Sequence, residues 1–597
     1  MRMEKKGRRY NLMFRILRWR IRNISNRNFV LIMAIIVGLL SGMAAVLIKN
    51  FVFLIRTNLT RGFSAEVHNY LFFIYPAIGI AIVVILVNYL LKVRIGHGIP
   101  VILHAISSTK GAIRKHHMYS SALTSVITAG FGGSVGLEGP AILTGGAIAS
   151  RLAQAYHMNY RQIILIIGCA VTGALASLFK APIAAIIFAI EVLMLDLTMS
   201  SLLPLLLASV SAVLPSYLFL SQDVLHSLKI HEIFELNMLP LFMLLGVFTG
   251  FISLYFSRVI RGLGDLFQRI GSKWIRWLTG TIFLGLIIFL FPSLYGEGYD
   301  SINRALNGDI GFLFDKSGYF TFQGEALTTM LILALVTLLK VVATACTFGA
   351  GGIGGIIAPS LFTGMTAGML FGSALNYLLG TDFSIVLFAL IGMAGVFAGT
   401  LHAPLTGIFL IAELTLAYNL LLPLMLTAGF SYLTIRLFQS VSFYHVELDR
   451  RRQLFTQDKD KLVLSLMKVD KLIETNFSTI RLDASLGDLV RVISKSRRNI
   501  YPVVDDENNY YGAVNMDNVR EIMFTPELYE TIFIRNLMTK SKYSIEPGEI
   551  MEEVARKFHQ SSDFNIPVLD HGKYVGFVSR ARLFSSYRSL LKKWSED

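Results

Sequence analysis

The stretch GGSVGLEGP, residues 132–140, decides how this chain folds. It places one carboxylate, Glu138, among glycines and a proline, with long apolar runs on either side. A charge at bilayer depth costs about 2.5–3.5 kcal/mol when nothing compensates it. An irregular backbone is tolerated at that depth only where protein or trapped water satisfies its polar groups. The stretch therefore predicts a broken helix that faces an internal pathway.

Apolar runs of membrane length recur through most of the 597-residue chain. Hydrophobic residues make up 54% of the chain and the mean hydropathy is +0.59, which is too apolar for a soluble protein. Each run is about long enough for a helix to cross a bilayer. The runs lie at 29–48, 71–91, 160–179, 202–220, 239–256, 275–292, 328–346, 382–399 and 419–437. They predict a polytopic integral membrane protein rather than an anchored enzyme.

Much of the net charge of +16 precedes residue 29. Basic residues beside a first span follow the positive-inside rule, so we expect residues 1–28 to be a cytoplasmic N-terminus that contacts anionic lipid. This explanation is preferred over binding to nucleic acid. The first apolar run exceeds the roughly 7–15 residue core of a signal peptide, so we expect it to stay attached. The two cysteines, Cys169 and Cys346, lie inside apolar runs and indicate neither a disulfide framework nor a metal cluster.

The apolar part of the chain is an internal repeat. GLEGPAILTGG at 136–146 aligns with GIIAPSLFTGM at 355–365, and the Ala-Pro to Glu stretch at 181–191 aligns with 403–413. Gly/Pro-interrupted segments in corresponding positions of two repeats predict broken helices that meet near the midplane. Helix starts offer unpaired N–H groups and a positive dipole end, so opposed starts form an anion site. GHGIP at 96–100 is a third such element.

The composition changes near residue 444, where charges become frequent. Two segments beyond it look alike: NIYPVV at 499–504 followed by YGAV, and NIPVL at 565–569 followed by VGFV. Each unit predicts a helix (482–496 and 548–560), a buried strand, a turn, a second strand and a closing helix. This arrangement resembles a tandem pair of CBS modules. An unrelated α/β repeat is the alternative.

Four motifs in order along the chain resemble the chloride-pathway motifs of the CLC family. They are GHGIP, GLEGP, GIIAP and the element of Ser442, Tyr444 and His445 after the last span. The resemblance covers nearly the whole chain, including EGYD at 297–300. It implies an all-α polytopic membrane domain with inverted repeats and broken helices, followed by a C-terminal α/β tandem CBS domain. It also implies a homodimer in the lipid bilayer with one anion pathway per subunit, and neither enzymatic activity nor a cofactor or metal.

The expected boundaries follow from the runs and the repeats. The transport domain spans 29–440, with halves at about 29–221 and 238–440, and a linker spans 441–460. The first CBS module spans 461–525 and the second 526–597. We expect the protein in the plasma (inner) membrane, with the N-terminus and the CBS modules in the cytoplasm.

The resemblance assigns roles to individual residues. Glu138 matches the gating glutamate, whose carboxylate competes with the anion. The matching anion-binding residues are His97, Gly98, Ile99, Leu137, Gly139, Ile356, Ile357 and Tyr444. His97, Leu137 and Ile357 replace the usual serine, arginine and phenylalanine, so chloride or a similar small anion is expected and its ranking stays open. The alternatives are a capping role for Glu138, a packing role for His97 and an interfacial position for Tyr444.

A possible proton path comprises Glu138, Glu191 and Val192. Family members that exchange chloride for protons normally carry two successive glutamates where this chain has Glu191-Val192. Val192 favours passive, channel-like conduction, and chloride/proton exchange is the alternative. Glu191 and Glu413 occupy equivalent repeat positions and are expected to make structural hydrogen bonds.

Three further interpretations concern other classes of function. Gly132-x-Ser134-x-Gly136 fits the nucleophile elbow of hydrolases, but that motif needs a preceding strand and the surroundings here are membrane helices. A CBS-containing cation transporter is a distant alternative, and it would need several carboxylate ligands in the membrane. The CBS ribose signature ends in Asn518 and Arg582 instead of aspartates, which predicts weak or absent binding of an adenine nucleotide.

Overall fold

The computed structural model describes residues 20, 22–61, 69–93, 95–96, 98–195, 198–220, 234–313, 326–450, 464, 467–561 and 563–595. The chain divides into two compact units, Met1–Leu454 and Phe455–Asp597.

The described part of the first unit is built from α-helices. In chain order they are α1 (Asn26–Arg61), α2 (Asn69–Ile85, continued by a π-helical turn Leu86–Leu91), α3 (Ile99–Ser108), α4 (Ser120–Gly130), α5 (Glu138–Ala155), α6 (Tyr160–Phe179), α7 (Pro182–Leu193), α8 (Met199–Phe219), α9 (Leu239–Arg269), α10 (Lys273–Leu290), α11 (Tyr299–Leu306), α12 (Ala326–Gly349), α13 (Ile357–Leu379), α14 (Ile385–Leu401), α15 (Pro404–Thr415), α16 (Leu421–Phe438) and α17 (Phe443–Arg450).

Eight helices in the described ranges are long and apolar enough to cross a membrane. They include every predicted run except 382–399, which forms the shorter helix α14. Helix α14 is buried from Leu387 to Leu401, so it packs against protein along nearly its whole length. The chain is therefore a multi-pass membrane protein.

Helices α3, α5 and α13 begin inside the first unit instead of at its surface. Pro100, Pro140 and Pro359 each lie in the first turn of one of these helices, where no backbone donor is needed. Glu138 and Ile357, the first residues of α5 and α13, are buried. The broken helices predicted from the Gly/Pro motifs are thus confirmed.

The second unit contains two similar α/β repeats. The first comprises β1 (Ile480–Arg481), α18 (Leu486–Lys495), β2 (Ile500–Val504), β3 (Tyr510–Asn515) and α19 (Met516–Val519). After α20 (Ile534–Leu537), the second comprises α21 (Met551–Gln560), β4 (Asn565–Asp570), β5 (Lys573–Ser579) and α22 (Arg580–Ser595). Strand β2 pairs parallel with β1 and antiparallel with β3, and β4 pairs antiparallel with β5. The predicted order of helix and strands is confirmed in both repeats.

Candidate functional site

The starts of α5 and α13 are joined by their glycine-rich turns. The Gly136 amide donates to the Gly355 carbonyl at 2.9 Å, and the Gly355 amide donates to the Gly136 carbonyl at 2.7 Å. The start of α3 lies against the same place, because a Cβ added to Gly98 would lie 2.7 Å from the Cα of Gly139. Gly98 also has a φ of 90°, which favours glycine. Three motifs that are far apart in sequence therefore meet at one point.

Glu138 lies at this junction and is only 2% exposed. Its Oε1 accepts a hydrogen bond from the hydroxyl of Tyr299, the first residue of α11. Its Oε2 has no hydrogen-bond partner among the described residues. A carboxylate with one held and one open oxygen is suited to move between a bound and a released position.

The other predicted anion-binding residues that the structure describes are buried. Leu137 and Ile356 immediately precede α5 and α13, and both are buried. Tyr444 is buried on α17, which packs against α3, and it lies within electrostatic range of Glu138. Ile99 and Ile357 are buried as the first residues of their helices. His97 lies outside the described residues.

A buried charged cluster beside Glu138 was not predicted from the sequence. The Lys49 ammonium lies 3.2 Å from Oε2 of Glu297 and 4.7 Å from the ring centroid of Tyr299. Lys340 is fully buried and donates to the carbonyls of Gly296 at 3.0 Å and Leu294 at 3.4 Å. The sequence feature that could have indicated this cluster is the presence of charged residues in or beside membrane spans, because such residues usually have a function.

Glu191 and Glu413 cap each other's helices. Glu191 on α7 accepts from the amides of Leu405 at 3.1 Å and Thr406 at 2.8 Å, at the start of α15. Glu413 on α15 accepts from the amides of Ile183 at 3.1 Å and Ala184 at 2.7 Å, at the start of α7. These are the structural hydrogen bonds that the repeat predicts.

Ser134 does not lie on a nucleophile elbow. It is in the connection between helices α4 and α5, and no strand precedes it in the described range 98–195. Its amide donates to Oγ1 of Thr347 at 3.2 Å. The serine therefore belongs to the loop between α4 and α5, which hydrogen-bonds to the second repeat.

The second unit has its own partly buried polar cluster, around Glu474. Its carboxylate accepts from the Ser579 hydroxyl at 2.7 Å and lies 2.8 Å from the Arg498 guanidinium. Burial alone would raise the pKa of Glu474, but the hydrogen bonds from Ser579 and Arg498 and the charge of Arg498 lower it overall. Glu474 is therefore ionised at neutral pH. Ser579 is the serine of the second CBS signature, so its hydroxyl is already occupied.

Each of the two units matches a known protein family. Residues 78–436 match the family described as voltage gated chloride channel, and residues 469–524 and 534–589 match the CBS domain. A putative chloride channel protein ClcB-like of Ralstonia nicotianae is 28% identical over 356 residues, which cover 59% of this chain and 79% of that protein. An H+/Cl− exchange transporter ClcA of Vibrio parahaemolyticus is 29% identical over 450 residues, which cover 72% of this chain and 91% of that protein.

Solved structures share the fold. A slow cyanobacterial Cl−/H+ antiporter has a TM-score of 0.61 at 23% identity and matches 72% of this chain and 99% of that one. A eukaryotic CLC transporter has a TM-score of 0.60 at 16% identity and matches 94% of this chain and 99% of that one. With three helix starts meeting at Glu138 and two CBS repeats after the last span, the chain belongs to the CLC family and carries a tandem pair of CBS domains.

Proposed function

We propose that this protein exchanges chloride for protons across a membrane, with Glu138 as the group that alternates between the proton and the anion pathway. The observation that carries the proposal is the environment of Glu138, a buried carboxylate with one oxygen held by Tyr299 and one open. The helix starts of α5 and α13 supply N–H groups and positive dipole ends that favour an anion beside it. Protonation of Glu138 removes the competing negative charge, so that chloride can bind at the helix starts.

The relatives support exchange over the channel-like conduction that the sequence favours. Several curated relatives at 29% identity are named H+/Cl− exchange transporters.

Passive chloride conduction is the second candidate. Val192 follows Glu191 at the position where exchangers usually have an acid, and Val192 is buried on α7. The ClcB-like relative is named a putative chloride channel. The family match gives no support to the cation transporter that the sequence left as a distant alternative.

Transport by purified protein in liposomes separates the two candidates. Under a chloride gradient with a proton-sensitive dye, exchange predicts uphill proton movement, whereas a channel predicts none. Glu138→Gln and Glu138→Ala should abolish proton movement while chloride still flows, because the alternating charge is gone. Glu235→Gln, at an exposed acid, is the control and should behave as wild type. Proton pumping that persists in both Glu138 variants would refute the role of Glu138.

The remaining expectations are proposals for the assembled protein. We place the transport domain at 29–440, the linker at 441–460 and the CBS modules at 461–525 and 526–597. The basic segment before α1 supports a cytoplasmic N-terminus in the plasma (inner) membrane. The family supports a homodimer with one pathway in each subunit. The residues proposed to line that pathway are Gly98, Ile99, Leu137, Gly139, Ile356, Ile357 and Tyr444, together with His97.

A further inference from the structure

The Tyr299 side chain lies between Glu138 and a buried ion pair: its hydroxyl contacts Glu138 and its ring contacts Lys49. Tyr299 donates to Glu138, and the ammonium of Lys49 lies over the Tyr299 ring. Lys49 pairs with Glu297, and the two side chains are only 13% and 8% exposed. Oε1 of Glu297 has no hydrogen-bond partner among the described residues. The pair is therefore a buried, incompletely satisfied charge site one side chain away from the carboxylate proposed to gate transport.

The charged and titratable groups around this site come from several elements. Lys340 on α12 interacts electrostatically with Glu297, and it also donates a hydrogen bond to the carbonyl of Gly296 in the loop that carries Glu297. Arg56 on α1 pairs with Asp300 on α11. The remaining neighbours are the phenol groups of Tyr295 in the same loop and Tyr444 on α17. Of these groups, Glu297, Lys49 and Tyr444 interact electrostatically with Glu138.

We propose that Tyr299 is a latch that holds Glu138 in its ionised position, and that the Lys49–Glu297 pair sets the pH at which the latch releases. This inference rests on the proposed role of Glu138 in transport. Tyr299, Lys49 and Glu297 are positioning residues in it, because they act on the anion and the proton through Glu138.

Each neighbouring group either favours or opposes ionisation of Glu138. A hydroxyl that donates to a carboxylate stabilises the ionised form over the protonated form. The negative charge of Glu297 opposes ionisation of Glu138, and the positive charge of Lys49 favours it. In this low-dielectric setting these interactions are screened less than at a surface. Tyr299 and Glu297 therefore act on Glu138 in opposite directions.

The test is the pH dependence of chloride flux from liposomes that contain the full-length protein. Tyr299→Phe should move the pH of half-maximal flux upward by about one unit, which is a tenfold change in proton affinity. Glu297→Gln should move it downward by a similar amount. Tyr295→Phe is the matched control, because it removes a buried phenol hydroxyl from the same loop that has no hydrogen-bond partner among the described residues. Its midpoint should equal that of wild type.

Several outcomes would overturn the latch. These are unchanged midpoints in both Tyr299→Phe and Glu297→Gln, shifts in the same direction, or an equal shift in Tyr295→Phe. If Glu297→Gln fails to fold, Lys49→Gln is the second variant, and it should move the midpoint upward because it removes the positive charge that favours ionisation of Glu138. Wild-type chloride flux without proton pumping would refute exchange while the midpoints still decide the latch. A wild type without chloride flux would overturn both proposals.

Discussion

At the scale of single residues, Lys340 holds the loop that carries Glu297 and leads into α11 at Tyr299. Its ammonium is fully buried, donates to the Gly296 and Leu294 carbonyls, and lies 4.8 Å from the ring centroid of Phe362. A buried ammonium is tolerated only when hydrogen bonds compensate for its lost hydration. Lys340 therefore stabilises the loop through its contacts, and its cost is offset by the carbonyls that it satisfies.

Replacing Lys340 tests this role. Lys340→Met should lower the stability of the purified protein by about 1–3 kcal/mol, because two buried carbonyls lose their donor. Thermal unfolding in detergent measures the change. Lys273→Met removes an exposed lysine that donates to Asn88 at 2.6 Å, and it should change stability by less than about 0.5 kcal/mol. Equal melting temperatures for both variants would contradict the prediction.

At the scale of elements, α7 and α15 form a reciprocal pair. Each carries near its C-terminal end a glutamate that accepts from the first amides of the other. Because helix starts carry unpaired N–H groups and partial positive charge, both carboxylates are stabilised where they lie. The symmetry of the contacts follows from the sequence repeat that places Glu191 and Glu413 in equivalent positions.

This symmetry predicts equal consequences on the two sides. Glu191→Ala and Glu413→Ala should each cost about 0.5–2 kcal/mol of stability, the usual range for a lost helix cap. Chloride flux and proton coupling should change by the same factor in both variants, as measured in liposomes. Loss of proton pumping in Glu191→Ala alone, with full chloride flux, would instead make Glu191 a proton carrier.

At the scale of the whole molecule, the transport unit is joined to a unit whose adenine-nucleotide signature is altered. Glu474 engages the Ser579 hydroxyl, and Arg582 stands where the signature has an aspartate. The lowered pKa of Glu474 means that these contacts persist below the ordinary carboxyl value of 4.5 and are lost only at more acidic pH. A carboxylate from the first CBS module thus occupies the Ser579 hydroxyl of the second module throughout the neutral range.

The full-length protein should therefore show no micromolar affinity for ATP in calorimetry at neutral pH. The double variant Glu474→Ala, Arg582→Asp frees the Ser579 hydroxyl and restores the aspartate, so it should gain measurable ATP binding. The single variant Arg582→Asp is the control and should remain weak, because Glu474 still holds Ser579. Saturable micromolar binding to wild type would refute this account.

The sequence by itself determined the features that depend on local composition and periodicity. The apolar runs specified the spans, the Gly/Pro motifs specified where α3, α5 and α13 begin, and the repeat placed Glu191 and Glu413 in equivalent positions. The two CBS repeats could also be predicted from the sequence, because their strands and helices alternate in a regular pattern. These properties follow from backbone and hydrophobic preferences that act over short distances.

Only the tertiary structure decided what surrounds Glu138. Lys49 and Glu297 are 248 residues apart, and Tyr299 is 161 residues from Glu138, so no local pattern relates them. Their contacts exist because α1 packs against α5 and the first turn of α11 reaches both helices through its side chains, so that water is excluded from the charges. A buried charge must find its partner within hydrogen-bonding reach, and packing of distant segments alone determines which partner that is.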